Sequence, residues 1–309
     1  MSGTPPHILR RRVVALLVLA AAIAAVVALV VTVAGGDETP TAQAGATTAA
    51  GAARDGAVRS GAAERAPVAD PTTRRDMGRP GPPRPVPILM YHVTTDPPAN
   101  APFPDLYVRR SEFEDQMTAL HDAGYVAVTQ REVWDAWHRG GPLPERPVVV
   151  SIDDGYRSNW LNARPILERL GWPAVLNLKI GNLHEPDYGV TPGQVRALIA
   201  LGWEIGSHTI DHPDLTTVDA ATLAREVGES RRRLQRAFGV PIDFFCYPAG
   251  RYDDTVIAAV EQAGYLGATT VEPGLASPEE SARFELSRVR VSSGRSGASL
   301  VDELRTLGA

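Results

Sequence analysis

Four short stretches hold most of the side chains that could do acid–base or metal chemistry: 91-YH-92, 151-SIDDG-155, 207-SHTIDH-212 and 246-CYP-248. In the second, Asp153 and Asp154 stand side by side at the end of the apolar run 147-PVVVSI-152. Burying even one carboxylate is unfavourable by several kcal/mol unless a cation or hydrogen-bond donors hold it, and two neighbours raise each other's pKa. In the third, His208 and His212 are four residues apart, so one helix-like turn puts both imidazoles on one face, able to grip one ion. Two histidines and a carboxylate form a common open catalytic metal site that keeps a position for water. The paired aspartates then have separate work available: one completes the metal triad and the other stays free beside the water as general base. The competing reading is structural, a DDG turn capping a strand and two surface histidines beside the turn at Pro213-Asp214.

Such residues need elements to bring them together. Strand-like runs occur at 86-VPILMYH-92, 125-YVAVT-129, 147-PVVVSID-153, 174-AVLNLKI-180, 203-WEIGSH-208, 242-IDFFCYP-248, 266-LGATT-270 and 286-LSRVRV-291. Helices between them have readable starts: Ser111 with Glu114 three residues on, and Thr191 followed by Pro192 and by Gln194 at the capping-box position. A longer helix is expected over 217–238, with Leu223, Val227, Leu234 and Phe238 on its apolar face and Gly239 as its stop. Strands alternating with helices imply an α/β fold with a largely parallel sheet, here expected to close into a distorted (β/α) barrel. The four chemical clusters all fall at carboxyl ends of strands, which in such a barrel meet on one face.

The 309 residues are 44% hydrophobic with a formal net charge of −5, which gives a nucleic-acid partner no electrostatic support. The single cysteine, Cys246, excludes an intrachain disulfide and reads as a small buried residue. Arg10, Arg11 and Arg12 precede an uncharged run at 13–34, long enough at helical rise to span roughly 33 Å and cross a bilayer. With Asp37 and Glu38 on the far side, this predicts a basic cytoplasmic tail (1–12), a signal anchor (13–34) and an extracytoplasmic remainder. Cleavage of that segment would make the protein secreted instead. Residues 35–85, rich in Ala, Gly, Thr and Pro, read as a disordered tether that stiffens toward 78-GRPGPPRPVP-87. The globular domain is then 86–309.

With these residues in place, the sequence resembles the polysaccharide deacetylases, the NodB-homology group of carbohydrate esterase family four. SIDDG at 151–155, HTIDH at 208–212 and FCYPAGRY at 245–252 are similar to that family's first three motifs, and the likeness covers roughly residues 86 to 291. The opening 88-ILMYHVTTD-96 resembles the subgroup that includes deacetylases of poly-β-1,6-N-acetylglucosamine. The resemblance implies a NodB-type barrel acting on an N-acetylated polysaccharide outside the cell. It implies Asp153 as general base, Asp154, His208 and His212 as ligands of a divalent metal (zinc, with cobalt, nickel or manganese as substitutes), and the backbone N–H of Tyr247 as an oxyanion donor.

Two departures stand out. Where many members carry an arginine that orients the base, this chain has Cys246, and the later Asp/Trp motif that lines the substrate pocket is absent. Many also use a histidine near the carboxyl end as general acid, yet the last histidine here is His212; among His7, His92, His121, His138 and His184, only His92 ends a strand candidate, and the resemblance to the subgroup whose early Tyr-His supplies this role implies His92 as the acid, the alternative being a core histidine hydrogen-bonded to backbone. Arg288, in 286-LSRVRV-291, is the candidate to orient Asp153, the alternative being an exposed arginine on an edge strand. Trp160, Trp172 and Tyr188 are available for packing or for stacking on sugars. A glycosidase fits less well, since its two carboxyls stand about 5 Å or more apart across the scissile bond. A glycan-binding protein without turnover, or a deacylase of another amide or ester, stays open.

Overall fold

The computed structural model describes residues 75–309. Among these no helix is long and apolar enough to cross a membrane, and the run at 13–34 lies outside the described residues. Parallel strands β1 (Ile88–Tyr91), β2 (Val126–Ala127), β3 (Pro147–Asp154), β4 (Val175–Leu178), β5 (Glu204–Ser207), β6 (Phe244–Cys246), β7 (Gly267–Pro273) and β8 (Leu286–Arg290) lie in the order β1-β8-β7-β6-β5-β4-β3-β2. A further pairing, Ile88–Tyr91 against Val149–Ile152, joins β1 to β3 and closes seven strands into a barrel. Only β2 stays outside, paired with the first residues of β3. The fold is a parallel (β/α) barrel, as the alternating pattern predicts.

Alternation along the strands sorts side chains between two environments. On β3, Val148, Val150 and Ile152 pack into the large apolar layer under the helices, while Val149 joins a smaller cluster with Ile88, Val175 and Leu286. Ser151 and Asp153 follow Val149 in parity, Asn177 follows Val175, and Arg288 follows Leu286. The lumen is therefore apolar at the amino-terminal end of the strands and polar at the carboxyl end.

Helices α1 (Arg110–Asp122), α2 (Gln130–Arg139), α3 (Arg164–Arg169), α4 (Pro192–Ala200), α5 (Ala220–Ala224), α6 (Ser230–Phe238), α7 (Asp254–Gln262) and α8 (Gly297–Thr306) complete the domain. Thr191 caps α4, accepting from the Gln194 N–H, as its sequence predicts. The start expected at Ser111 is corrected: Ser111 already lies inside α1, and the cap is Arg109, two residues before Ser111, whose backbone N–H donates to Glu112 at 3.0 Å. The helix expected over 217–238 begins after Asp219, whose carboxylate caps the N–H of Thr222, and ends at Gly239 (φ 70°). Its middle, Arg225–Glu229, is a wide π turn between α5 and α6. The linker boundary also moves. Residues 75–85 lie against the domain: Arg75 pairs with Glu132 at 2.8 Å, and Trp137 donates its indole N–H to the Arg84 carbonyl at 2.8 Å. The composition of this stretch hides those two contacts, which act through one guanidinium and one carbonyl.

Candidate active site

All seven candidate residues (His92, Asp153, Asp154, His208, His212, Tyr247 and Arg288) line one cleft of about 590 Å³ at the carboxyl ends of the strands. Strict alternation would send Asp154 toward the helix layer. It does not go there, because Asp154 adopts a left-handed φ of 72° and Gly155 follows at 82°. A side chain at Gly155 would stand 2.4 Å from Leu178 Cδ1, so this turn also needs glycine for space. The left-handed step leaves Asp154 on the rim, with Oδ1 3.6 Å from His208 Nε2.

Asp153 is 1% exposed. Its Oδ1 accepts from Arg288 Nη1 and Asn177 Nδ2, both at 2.9 Å. Its Oδ2 faces His92 Nε2 and Cys246 Sγ, each at 3.7 Å. Burial alone would raise the Asp153 pKa, but the Arg288 charge and hydrogen bond, with His92 and His208 nearby, hold it well below the carboxylate range. Arg288 is 1% exposed, not an exposed edge residue, and also donates to the Thr270 carbonyl at 2.7 Å and to Ser151 Oγ at 3.2 Å. Burial lowers the His92 pKa, with the Asp153 and Asp154 charges acting the other way.

The 208–212 turn is shaped by two left-handed residues, Thr209 (φ 65°) and His212 (φ 66°). The rings of His208 and His212 meet edge to face with centroids 4.7 Å apart. His208 Nδ1 lies 2.7 Å from the Cys246 carbonyl, so it carries the proton and leaves Nε2 free as a donor atom. Burial disfavours a charge on His208, yet Cys246 and the carboxylates of Asp153 and Asp154 outweigh it and push the imidazole up to about 10, a preference for positive charge at Nε2 that a cation there would satisfy in place of the second proton. His212 goes the other way, down to about 4, through burial and the nearby His208 and Lys179.

One donor atom from each of Asp154, His208 and His212 lies within 4.8 Å of the others, and Asp153, His208 and Cys246 form an overlapping group. The first set fits a divalent cation better. Its donors are one carboxylate and two imidazoles, one of which has its second nitrogen anchored on a backbone carbonyl, as ligating histidines do. In the second set Asp153 is already neutralised by Arg288.

A family model for polysaccharide deacetylase matches residues 140–268. YxkH of Bacillus subtilis (strain 168), a protein assigned to the polysaccharide deacetylases, is 34% identical over 219 residues that span 70% of this chain and 75% of that one. The chain belongs to the polysaccharide deacetylase family. Among solved structures, the Streptococcus pyogenes deacetylase PplD in complex with acetate superposes with a TM-score of 0.66 and 27% identity, over 71% of this chain and 98% of that one. A poly-β-1,6-N-acetyl-D-glucosamine N-deacetylase of Staphylococcus aureus (strain MRSA252) is 24% identical over 186 residues, 55% of this chain and 63% of that relative.

One expected role meets an obstacle in this deacetylase-family chain. Tyr247 lines the cleft, but its backbone N–H, the expected oxyanion donor, donates to the Thr269 carbonyl at 3.2 Å, because β6 stays paired with β7 past its last residue. Three supporting residues escaped the sequence reading. Asn177, which donates to Asp153, was visible as the lone polar side chain on the lumen parity of β4. Asn159 donates to the His92 carbonyl at 3.0 Å and to Thr94 Oγ1 at 3.2 Å in the amide orientation that satisfies both its ends. Glu226 lies on the apolar side of the 217–238 helix, three residues after Leu223, and is 1% exposed.

Proposed function

We propose that this protein is a metal-dependent hydrolase that removes N-acetyl groups from an extracellular polysaccharide containing N-acetylglucosamine. One observation carries the reading: a buried carboxylate, Asp153, clamped by Arg288 and Asn177, beside the separate donor set of Asp154, His208 and His212. A divalent cation, zinc first and cobalt, nickel or manganese as substitutes, supplies Lewis acidity toward a carbonyl oxygen and toward water at such a site. Asp154, His208 and His212 would hold it.

The chain's own residues do the proton work. Asp153 Oδ1 is occupied by its two donors, which leaves Oδ2, facing the cleft and His92, to take a proton from the attacking water. His92 gives a proton to the departing amine as the C–N bond breaks. Acetate and a free amino sugar are the products. His92 Nε2 and Asp153 Oδ2 are 3.7 Å apart, so the proton gained by the base has a short return path to the acid.

The substrate side fits a polymer. A second cleft of about 570 Å³ shares Tyr156 and Lys179 with the first. Phe103 and Tyr188, 66% and 46% exposed, stand at the first and second clefts respectively, offering apolar faces to sugar rings on either side of the reacting one. The relatives named as poly-β-1,6-N-acetyl-D-glucosamine N-deacetylases favour the β-1,6 polymer. The run at 13–34 would anchor the domain on the outer face of the cell membrane. The test is acetate release by the zinc- or cobalt-loaded protein from β-1,4- and β-1,6-linked N-acetylglucosamine oligomers and from peptidoglycan. Release from the β-1,6 oligomers is expected; no release from any of them overturns the reading.

A further inference from the structure

Between His208 and His212 the chain makes a turn that ordinary side chains resist, because Thr209 and His212 both sit at left-handed φ without being glycine. Such a conformation persists only where the surroundings hold it. Thr209 Oγ1 accepts from the His212 N–H at 2.9 Å, and the carbonyls of Thr209 and Ile210 accept from Ile180 and Gly181 at 3.2 and 2.9 Å. The two N–H groups left at the crest, those of Ile210 and Asp211, both donate to one oxygen, Glu226 Oε2, at 2.8 and 2.9 Å.

Glu226 belongs to the wide turn Arg225–Glu229, where Ser230 N–H reaches back five residues to the Arg225 carbonyl. Insertions of this kind are rare inside helices and gather at functional sites. Here both Glu226 and Val227 are buried. Val227 packs in the apolar layer, and Glu226 turns to the histidine loop. Arg225 lies 3.0 Å from Glu226 Oε1 and also pairs with Asp211, so the charge of the buried carboxylate is balanced at the loop it supports.

Resting on the reading of His208 and His212 as metal ligands, we propose that Glu226 is a positioning residue for the metal site: its one oxygen, by taking both crest N–H groups, holds the turn that sets the two imidazoles at one ion. It touches neither ion nor substrate. A purely structural role would lower stability and leave the ligand geometry alone.

The test uses the full chain and cobalt as the probe, with affinity read by chelator competition and geometry by the visible cobalt absorption. Glu226→Leu, matched in bulk but without an acceptor, is expected to weaken cobalt binding by about 10- to 100-fold and to change the cobalt spectrum while circular dichroism reports a folded chain. Glu226→Gln, which keeps one acceptor oxygen, should restore most of the affinity and the wild-type spectrum. A folded Glu226→Leu protein with wild-type affinity and spectrum overturns the proposal and leaves the proposed function standing. Wild-type protein that takes up no cobalt overturns the metal reading and this proposal with it. Should Glu226→Leu fail to fold, amide exchange in the wild type decides: the Ile210 and Asp211 N–H groups are expected to be protected, and free exchange in the folded protein refutes the role.

Discussion

Removing the Arg288 charge should change the pH profile of the reaction more than its metal content. Nη1 lies 2.9 Å from Asp153 Oδ1, and both side chains are nearly inaccessible to solvent. Taking the charge centres as about 4 Å apart at an effective dielectric of about 20, their attraction is about 4 kcal/mol, enough to outweigh burial and hold the carboxyl ionised. In Arg288→Met the Asp153 carboxyl keeps the burial that raises its pKa and loses the main group that lowers it. The acid limb of kcat/KM should therefore move up into the measurable range, with the loss far greater at pH 5 than at pH 9. Arg288→Lys keeps a charge but not the fork that reaches Thr270, Ser151 and Asp153 together, so it should lower the rate with little movement of the limb. Breaking a buried pair also destabilises by about 3–5 kcal/mol, so folded fraction must be measured at the assay temperature. A depressed Asp153 also contributes stability that is present above its unfolded pKa near 3.8 and lost as pH falls toward the folded value. An Arg288→Met enzyme that is folded, slower, and has the wild-type acid limb would refute the claim that this arginine keeps the base ionised.

Three further outcomes are expected. Asp154→Ala should abolish cobalt or zinc binding in equilibrium dialysis, while Asp153→Asn should keep the metal and lose turnover; the reverse pattern would swap their roles. Tyr188→Ala should raise KM for oligomers by about 2- to 10-fold, as loss of one stacking face of about 0.5–1.5 kcal/mol predicts, and leave KM unchanged for the shortest substrate that is turned over. On the barrel floor, burial, with Asp243 and Glu132 nearby, pushes Glu204 up to about 8 against the N–H groups of Arg131 and Gln130. Its protonated form suits the fold, so its stabilising effect is complete below pH 4.5 and declines as pH rises toward 8. Glu204→Gln should flatten that decline and raise stability at pH 8 by about 1–2 kcal/mol, measured by denaturant unfolding across pH.

The barrel and its chemical rim were legible because both are written in short-range patterns. Strand alternation and caps located the elements, and four polar clusters at strand ends located the face. What the sequence concealed depends on contacts distant along the chain or on local backbone geometry. Arg288 reaches Asp153 across 135 residues, and only closure of β1 on β3 makes the lumen that holds both. Tyr247 looked free at the end of a strand, but parallel pairing continues one residue further and engages its N–H. Ser111 carried the right side chain for a cap and lay two residues too late.

The least legible feature is the one that resolves the paired aspartates. Four described residues other than glycine have positive φ, and Asp154, Thr209 and His212 are three of them. A strand can aim only alternate side chains at the lumen, so neighbouring carboxylates cannot both serve one site from a regular strand. The left-handed step at Asp154 breaks the alternation where β3 ends, and the two at Thr209 and His212 fold the second histidine back beside the first. Each step is unfavourable by about 1–3 kcal/mol, and each is held by hydrogen bonds to neighbouring backbone or to a buried side chain: Asn182 on the Asp154 carbonyl, Thr209 on the His212 N–H, and Glu226 at the crest of the turn. The unfavourable conformations thus mark where the barrel departs from its repeat to gather a base and three donor atoms at one point.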